Sequence, residues 1–299
     1  MLAGGTGGAK LARGMLDVVG AERLCVIANT ADDVEAHGVH VSPDPDLVTY
    51  WLADLIDDRG YGIRGDSFAV MEALEAAGEP AWLRLGDRDL AMCLIRTRRL
   101  RAGERLTSAQ GAVASALGVG ARVLPMSDDP VRTHVRTGDR LLPFQEFMIL
   151  GRAAAPIEGV ELEGIERARP SPEALAAIAA AETIVIGPSN PIISIGPILA
   201  LRGMRDALAA APARVVAISP FVGGRAVKGP TDAFMAHARL PLGAEGVARA
   251  YVGVLDGLVA EEPAVGVAVL EADTLMASAQ ARGRVAALSL DFAASLPRT

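Results

Sequence analysis

The stretch MLAGGTGGAKLARGMLDVV (residues 1–19) joins a short apolar run, a glycine-rich loop and an amphipathic segment. This order predicts a strand, a turn and a helix, which is the first unit of an α/β sheet. Glycines let the backbone come close to a phosphate, and the N-terminus of a following helix favours negative charge. The loop at residues 4–10 therefore indicates either a phosphate-binding site or a plain tight turn.

Two standard nucleotide-binding motifs do not fit this loop. A Walker A motif ends in Gly-Lys followed by Ser or Thr, whereas here Ala9 precedes Lys10 and Leu11 follows it. A dinucleotide fingerprint that starts at Gly5 and Gly7 needs Gly or Ala at the position of Lys10. The sequence therefore disfavours both a P-loop nucleotidase and a nicotinamide-dependent enzyme.

The first strand candidate is unusually short, because only Met1, Leu2 and Ala3 precede the loop. Three extended residues span about 10 Å, whereas a typical strand has about 5–6 residues. We expect either a frayed, truncated strand that anchors the loop weakly, or a natural start that lies upstream of Met1.

The composition is that of a globular protein with an aliphatic core. Of the 299 residues, 51% are hydrophobic and 4% aromatic, and no apolar run reaches the ~20 residues of a membrane span. The net charge of -7 and the lack of a Lys/Arg block argue against nucleic-acid binding and leave carboxylates for a hard cation. Cys25 and Cys93 form no disulfide framework and no signal-peptide pattern is visible, so we expect a cytoplasmic protein.

Apolar runs alternate with amphipathic segments along most of the chain. This alternation predicts an α/β fold with a doubly wound, mostly parallel Rossmann-like sheet. We expect residues 1–299 to form a single domain with a mainly helical insertion at about residues 45–120 and a small β elaboration. We also expect a strand at residues 140–150 and a helix at residues 243–258.

Four polar loops each follow an apolar strand candidate: GGTGGAK (4–10), NTADD (29–33), GPSNP (187–191) and SPFVGG (219–224). The carboxyl ends of parallel strands meet at one edge of an open sheet, where ligands bind. Hydroxyl, amide and free N–H groups in these loops suit recognition of a phosphate or a base. Together the loops predict a nucleotide or phosphate crevice, although each alone also fits a rigid turn.

A cluster of aspartates follows the second strand candidate, at Asp32, Asp33, Asp44, Asp46, Asp54 and Asp57. Mg²⁺ that bridges a diphosphate usually takes one or two protein carboxylates. Asp44 or Asp46 could instead be a helix N-cap, and Asp54 and Asp57 could lie on a solvated helix face. Arg88, inside LGDRD, fits either a surface ion-pair network or a guanidinium that contacts an anionic or planar ligand.

Ten segments occur in an order that is specific only in combination. They are GGTGGAKL, NTADD, SPDPDLVTY, LGDRD, LPMSDDPV, FQEF, GPSNPIISIGPIL, ISPFVGG, KGP and ADTLM. In these segments the sequence resembles the 2-phospho-L-lactate transferase family of coenzyme F-420 biosynthesis, and the resemblance runs from residue 4 to about residue 276, nearly the whole chain. The resemblance implies a doubly wound core with a helical elaboration, a homodimer and Mg²⁺ as cofactor.

The same resemblance implies the reaction and its substrates. A phospho-acyl group passes from a guanosine diphosphate-linked donor to the deazaflavin alcohol Fo (7,8-didemethyl-8-hydroxy-5-deazariboflavin), with release of GMP. Asp46 would lie near the Fo hydroxyl and the metal, Arg88 would contact Fo, and Asp57 would be a second metal ligand. Asp46 and Arg88 are thus the implied catalytic residues. The implied diphosphate loop and nucleotide site comprise Gly4, Gly5, Thr6, Gly7, Gly8, Asn29, Thr30, Ser189, Asn190, Ser219 and Gly223.

Two other functions compete with this interpretation. A sister family with a similar GGTG start resembles non-enzymatic regulators that bind nucleotide sugars, but SPDPD and LGDRD favour the transferase. A nicotinamide-dependent oxidoreductase is disfavoured by the missing fingerprint. The sequence does not decide whether the donor carries phospholactate, phosphoenolpyruvate or phosphoglycerate, which differ only by a methyl group, a double bond and a hydroxyl.

Overall fold

A seven-stranded sheet organises the chain in the computed structural model, which describes residues 1–297. The strands are β1 (Leu2–Ala3), β2 (Cys25–Ala28), β3 (Val34–Ala36), β4 (Val39–Val41), β5 (Arg122–Pro125), β6 (Arg132–Thr137), β7 (Arg140–Pro143), β8 (Gly159–Glu163), β9 (Thr183–Ile186), β10 (Arg214–Ile218), β11 (Phe221–Val222), β12 (Arg225–Ala226), β13 (Gly257–Ala260) and β14 (Ala268–Glu271). The helices are α1 (Gly5–Val19), α2 (Pro43–Leu52), α3 (Ala69–Ala76), α4 (Asp87–Arg101), α5 (Leu106–Ala116), α6 (Phe144–Ile149), α7 (Pro172–Ala179), α8 (Gly196–Ala200), α9 (Met204–Ala210), α10 (Thr231–His237), α11 (Ala244–Ala250) and α12 (Ala279–Ser295).

Alternate residues of the central strands point to opposite faces of the sheet and pack into two separate hydrophobic cores. The strand order is β14-β13-β10-β9-β1-β2-β5, and each neighbouring pair is parallel. Leu2 and Ile186 belong to a core with α7, α8, α9 and α11, whereas Ala3 and Val185 belong to a core with α1, α2 and α12. Helices therefore cover both faces of the sheet, and the predicted doubly wound α/β fold is confirmed.

The strand order reverses at β1. From β1 the chain moves outward through β2 to β5, and it later returns to the other side of β1 through β9, β10, β13 and β14. In open parallel sheets, ligands bind in the crevice outside the carboxyl ends of the strands at such a reversal. The loops after β1 and β9 border this crevice.

The first strand is short, but it is not frayed as expected. Leu2 and Ala3 are fully buried. The N–H of Asn29 donates to the carbonyl oxygen of Ala3 at 3.0 Å, and the N–H of Gly187 donates to that of Leu2 at 2.9 Å. The position of β1 between β2 and β9 gives it ladder partners on both sides, which its length alone does not indicate.

The segment at residues 140–150 is not one strand as predicted, but β7 followed by α6. Phe144 and Phe147 are three positions apart on one face of α6, and both rings pack against Phe234, with centroids 6.4 and 6.2 Å away. The spacing of three positions between Phe144 and Phe147 is typical of a helix and not of a strand, which explains why this part of the strand prediction is wrong.

The helix predicted at residues 243–258 is also wrong in its second half. Helix α11 ends at Ala250, Gly253 adopts a φ of 77° in the following turn, and β13 begins at Gly257. Every residue of β13 is buried, so the strand shows no alternation. Periodicity cannot distinguish such a short apolar run from a buried helix segment.

Small antiparallel elements and a helical block surround the sheet. The β3–β4 hairpin, the β7-β6-β8 sheet and the β11–β12 ribbon form the expected β elaboration. The block at about residues 45–120 carries α2 to α5, with an irregular segment at residues 53–68. Among the described residues, no helix has the length and apolar character needed to cross a membrane.

Helices α1 and α12 pack together through a glycine. A Cβ atom on Gly14 would lie 2.5 Å from the carbonyl oxygen of Arg282, which is closer than atoms can approach. Apart from its own helix backbone and chain neighbours, Gly283, also inside a helix, has no described atom within 4 Å of its Cβ position. The two glycines therefore differ in their surroundings and not in their secondary structure.

We expect Gly14→Ala to destabilise the protein by about 1–3 kcal/mol, because an added methyl group forces shifts in a packed interface. Gly283→Ala is the matched control and should stabilise the protein by up to ~1 kcal/mol through helix propensity. Urea unfolding followed by circular dichroism measures both changes. Equal stability of the two variants would contradict this packing.

Candidate active site

Close packing between two loops explains the glycines of the first loop. A Cβ atom on Gly7 would lie 1.9 Å from the carbonyl oxygen of Pro188, and one on Gly8 would lie 2.6 Å from Ser189 Oγ. Gly5 begins α1 with a φ of 60°, in the left-handed region that favours glycine. The glycines thus bring the N-terminus of α1 against the loop after β9.

A buried carboxylate lies at this N-terminus. Asp44 Oδ1 accepts a hydrogen bond from the N–H of Gly5 at 2.7 Å, and Asp44 Oδ2 accepts one from Asn29 Nδ2 at 3.0 Å. Asn29 Nδ2 also donates to Asp32 Oδ2 at 3.1 Å. One amide group therefore holds two carboxylates together, and Asp44 caps α1 although it belongs to the first turn of α2.

Both of these carboxyl groups are shielded from water. Burial raises the pKa of Asp44 to about 6. Burial and the neighbouring charge of Asp44 raise the pKa of Asp32 well above its usual value. Asp32 Oδ1 is buried and makes no hydrogen bond of normal geometry within residues 1–297, although the nearby Thr133 hydroxyl opposes the rise in the pKa of Asp32. Two buried carboxylates in this arrangement require a proton or a cation.

A cavity of about 460 Å³, called here the glycine-loop cavity, opens beside the two carboxylates. Seven of the residues expected from the sequence line it: Gly4, Gly5, Thr6, Gly7, Ser189, Asn190 and Ser219. A cavity therefore lies at the carboxyl edge of the sheet, where the loops predict a crevice, and nucleotide binding there stays a prediction.

Four of the expected residues do not line this cavity. Gly8 packs against Ser189, and Asn29 holds the two carboxylates from below. Thr30 is buried. Gly223 lies in the turn between β11 and β12, and its N–H group donates to the carboxylate of Glu261. Direct ligand contact by these four residues stays a prediction.

Two lysines also line the glycine-loop cavity. Lys10 lies one helical turn after Thr6, and Lys228 Nζ donates to the carbonyl oxygen of Arg59 at 3.3 Å. Burial, followed by the charges of Lys228 and Arg282, lowers the pKa of Lys10. Within the described part of the chain the ion pairs involve neither lysine, so both ammonium groups are available to an anion.

A second cavity of about 460 Å³, called here the helical cavity, lies between α2, α4 and the irregular segment at residues 53–68. Its apolar lining includes Leu47, Tyr61, Phe68, Leu83 and Leu85. Among residues 1–297, Asp44 alone lines both cavities. Asp44 therefore forms part of the wall of both cavities.

Asp46 takes part in a buried ion pair. Arg96 is fully buried and donates to Asp46 Oδ1, to Gln110 Oε1 and to the carbonyl oxygen of His40. Burial raises the pKa of Asp46, and the guanidinium opposes this shift. Asp46 also lines the helical cavity, but its ion pair with Arg96 ties α2 to α4.

Asp57 and Arg88 line neither cavity. Asp57 Oδ1 accepts a hydrogen bond from Arg59 Nε at 2.6 Å. Arg88 is exposed, and its NH1 group donates to the carbonyl oxygen of Arg64 at 3.4 Å. Both residues stand in segments that border the helical cavity, so their roles as metal ligand and Fo contact stay predictions.

Two groups of side chains differ in how well they suit Mg²⁺. Asp46, Asp89 and Cys93 place ligand atoms within 4.8 Å of one another. Arg96 already pairs with Asp46, and burial raises the pKa of the Cys93 thiol, so this group suits a hard cation poorly. Asp32 and Asp44 offer carboxylate oxygens only and form no ion pair with a cationic side chain among the described residues, so they suit Mg²⁺ better.

Asp32, Asp44 and Lys10 are site candidates that the sequence analysis did not assign. Both aspartates stand in the acidic cluster that follows the second strand candidate, and Lys10 stands in the glycine-rich loop. Their residue types indicated the chemistry, but only the fold shows which of the clustered aspartates reaches α1.

Comparison with known proteins identifies the family of this chain. The family model described as 2-phospho-L-lactate transferase CofD matches residues 1–286. The 2-phospho-L-lactate transferase of Methanosarcina mazei is 39% identical over an alignment of 290 positions, which spans 94% of this chain and 95% of the relative. The phosphoenolpyruvate transferase of Kitasatospora aureofaciens is 40% identical over an alignment of 309 positions, which spans 98% of this chain and 96% of the relative.

A solved structure supports the fold independently. The crystal structure of a UPF0052 family protein from Bacillus halodurans has a TM-score of 0.62 and 20% identity, and covers 96% of each chain. At this identity the likeness bears on the fold alone. The family model and the relatives show the family and the activity. The chain belongs to the 2-phospho-L-lactate transferase CofD family and is a transferase of a phospho group.

Proposed function

We propose that the protein transfers a phospho-acyl group from a guanosine diphosphate-linked donor to the deazaflavin alcohol Fo, which releases GMP and forms the core of coenzyme F-420. The observation that carries this proposal is the pair of cavities that have Asp44 as a common wall residue. A transfer between two substrates requires two adjoining sites with the reacting atoms at their boundary. The names of the Methanosarcina and Kitasatospora relatives support phospholactate or phosphoenolpyruvate as the transferred group.

The donor would bind in the glycine-loop cavity. The N–H groups that follow Gly5 in the first turn of α1 have no intrahelical partner, and together with the positive charges of Lys10 and Lys228 they suit its diphosphate. Ser189, Asn190 and Ser219 offer hydroxyl and amide groups to the nucleoside. This arrangement would place the phosphorus atoms near the capping carboxylate of Asp44.

The acceptor would bind in the helical cavity. Tyr61, Phe68 and the leucines that line it suit the flat deazaflavin ring. The alcohol side chain of Fo would then reach toward Asp44, where the helical cavity adjoins the glycine-loop cavity.

In the reaction, the Fo hydroxyl oxygen forms a bond to the phosphorus that carries the acyl-bearing oxygen, and the bond from that phosphorus to GMP breaks. Asp44 takes the hydroxyl proton, while Lys10 and Lys228 stabilise negative charge on the phosphoryl oxygens and on departing GMP. Mg²⁺ held by Asp32 and Asp44 would supply further positive charge at the same oxygens.

Turnover with purified protein, Fo, Mg²⁺ and each of the three candidate donors tests the proposed function. We expect GMP and an Fo derivative in equal amounts, and the mass of the derivative identifies the three-carbon acid. Failure with all three donors, together with tight binding of a uridine diphosphate sugar, would favour the regulator instead.

Asp44→Asn should lower Fo-dependent GMP release by about 100-fold or more, because the variant loses the carboxylate needed for the proton and the metal. Asp58→Asn is the matched control, since Asp58 is exposed and lines neither cavity. Steady-state rates and urea unfolding are measured together. Near-normal release by a folded Asp44→Asn variant would contradict the role of Asp44.

Asp57→Asn separates the two proposed metal sites. If Asp32 and Asp44 hold Mg²⁺, this variant should keep the Mg²⁺ concentration for half-maximal rate within about threefold, because Asp57 makes its hydrogen bond with Arg59. A rise of tenfold or more would place Asp57 among the metal ligands.

Lys10→Met should raise the KM of the donor by about 10–100-fold, the effect of losing a charge-assisted hydrogen bond. The KM of Fo should stay unchanged, because Lys10 lines only the glycine-loop cavity. Lys10→Arg keeps the charge and serves as the control. Equal increases for donor and Fo would show that Lys10 acts on the fold and not on the diphosphate.

A further inference from the structure

One carboxyl group of the helical cavity has no part in the chemistry described above. Asp89 lies in the first turn of α4, lines the cavity and is half-buried. The hydroxyl of Tyr50, a residue only 2% exposed, donates to Asp89 Oδ1 at 2.6 Å. The phenol thereby fixes the carboxyl group, and the hydrogen bonds of residues 1–297 leave Asp89 Oδ2 free.

The walls of the same cavity suit a flat ring. The guanidinium groups of Arg59 and Arg84 lie 5.9 and 5.5 Å from the ring centroid of Phe68, and Arg59 lies 5.1 Å from that of Tyr61. A flat heterocycle between such groups loses water from its faces and edges. An N–H group on its inner edge then needs an acceptor in the cavity.

We propose that Asp89 is a specificity-determining residue whose free Oδ2 accepts a hydrogen bond from a ring N–H group of the planar acceptor. This inference rests on the proposed acceptor. Fo carries one such N–H group between two ring carbonyls, and its reacting hydroxyl stands on a flexible side chain. With that hydroxyl at Asp44, the ring occupies the part of the helical cavity that Asp89 lines.

Asp46 cannot supply this contact as readily as Asp89. Asp46 Oδ1 is paired with Arg96, and Asp46 Oδ2 is buried from the cavity. Asp89 therefore combines access to the cavity with an orientation fixed by Tyr50.

A purely structural role for Asp89 makes a different prediction. A carboxylate in the first turn of a helix also stabilises the helix through its dipole. Asp87 lies in the same turn of α4 but does not line the cavity, and it accepts hydrogen bonds from Ser67 and the N–H groups of Ala69 and Val70. Asp87→Leu is therefore the matched control for Asp89→Leu.

The test measures the binding of Fo and of its ring-N-methylated analogue, by deazaflavin fluorescence without donor. We expect the wild-type protein to bind Fo about tenfold or more tightly than the analogue, which lacks the N–H donor. Asp89→Leu should weaken Fo binding about tenfold and bring the two affinities within about threefold of each other. Asp89→Asn keeps an acceptor oxygen and should preserve most of the preference, and Asp87→Leu should preserve it fully even if unfolding is easier.

Equal binding of Fo and the analogue by the wild-type protein would overturn the inference while leaving the acceptor intact. An unchanged preference in Asp89→Leu would overturn it as well, because another group would then read the N–H. Failure of the wild-type protein to bind Fo at all would instead remove the proposed acceptor, and the inference with it.

Discussion

The carboxylate of Asp44 accepts a hydrogen bond from the first N–H group of α1, and the geometry of the whole site depends on this contact. The N-terminus of a helix carries partial positive charge and is a common place for phosphate. Here a side chain of α2 reaches it, so the helical block that follows α2 is held beside the crevice. Because Asn29 joins Asp44 to Asp32, the same contact brings two carboxylates to the boundary of the two cavities.

Uncompensated charge distinguishes this boundary from the ion pair a short distance along α2. Asp46 and Arg96 are buried and pair through Asp46 Oδ1, so the guanidinium balances the charge of this carboxylate although Asp46 Oδ2 has no hydrogen-bond partner among the described residues. Asp32 and Asp44 share only an amide, and Lys10 lines the same cavity without a carboxylate partner among the described residues. These charges lower the stability of the free protein. A cation bound at the carboxylates and an anion bound at Lys10 would compensate for them, as is typical of functional sites.

The sequence was sufficient for the sheet and its polar edge, because alternating apolar segments and loop positions are local features. The sequence was insufficient for contacts between residues that are far apart along the chain. Asp44 and Asp46 are two positions apart, yet one caps α1 and the other pairs with Arg96 from α4, a residue 50 positions along the chain. The strand β13 was predicted as part of a helix for a related reason. Burial on both of its faces removes the alternation that marks a strand.

A crystal structure of the protein with GDP, Fo and Mn²⁺, in place of Mg²⁺, tests most directly whether two substrate sites meet at Asp44. The account predicts the diphosphate at the glycine loop, the deazaflavin ring in the helical cavity and an anomalous manganese peak bonded to Asp32 and Asp44. A manganese peak at Asp46 or Asp57 without Asp44, or Fo bound in the glycine-loop cavity, would contradict it.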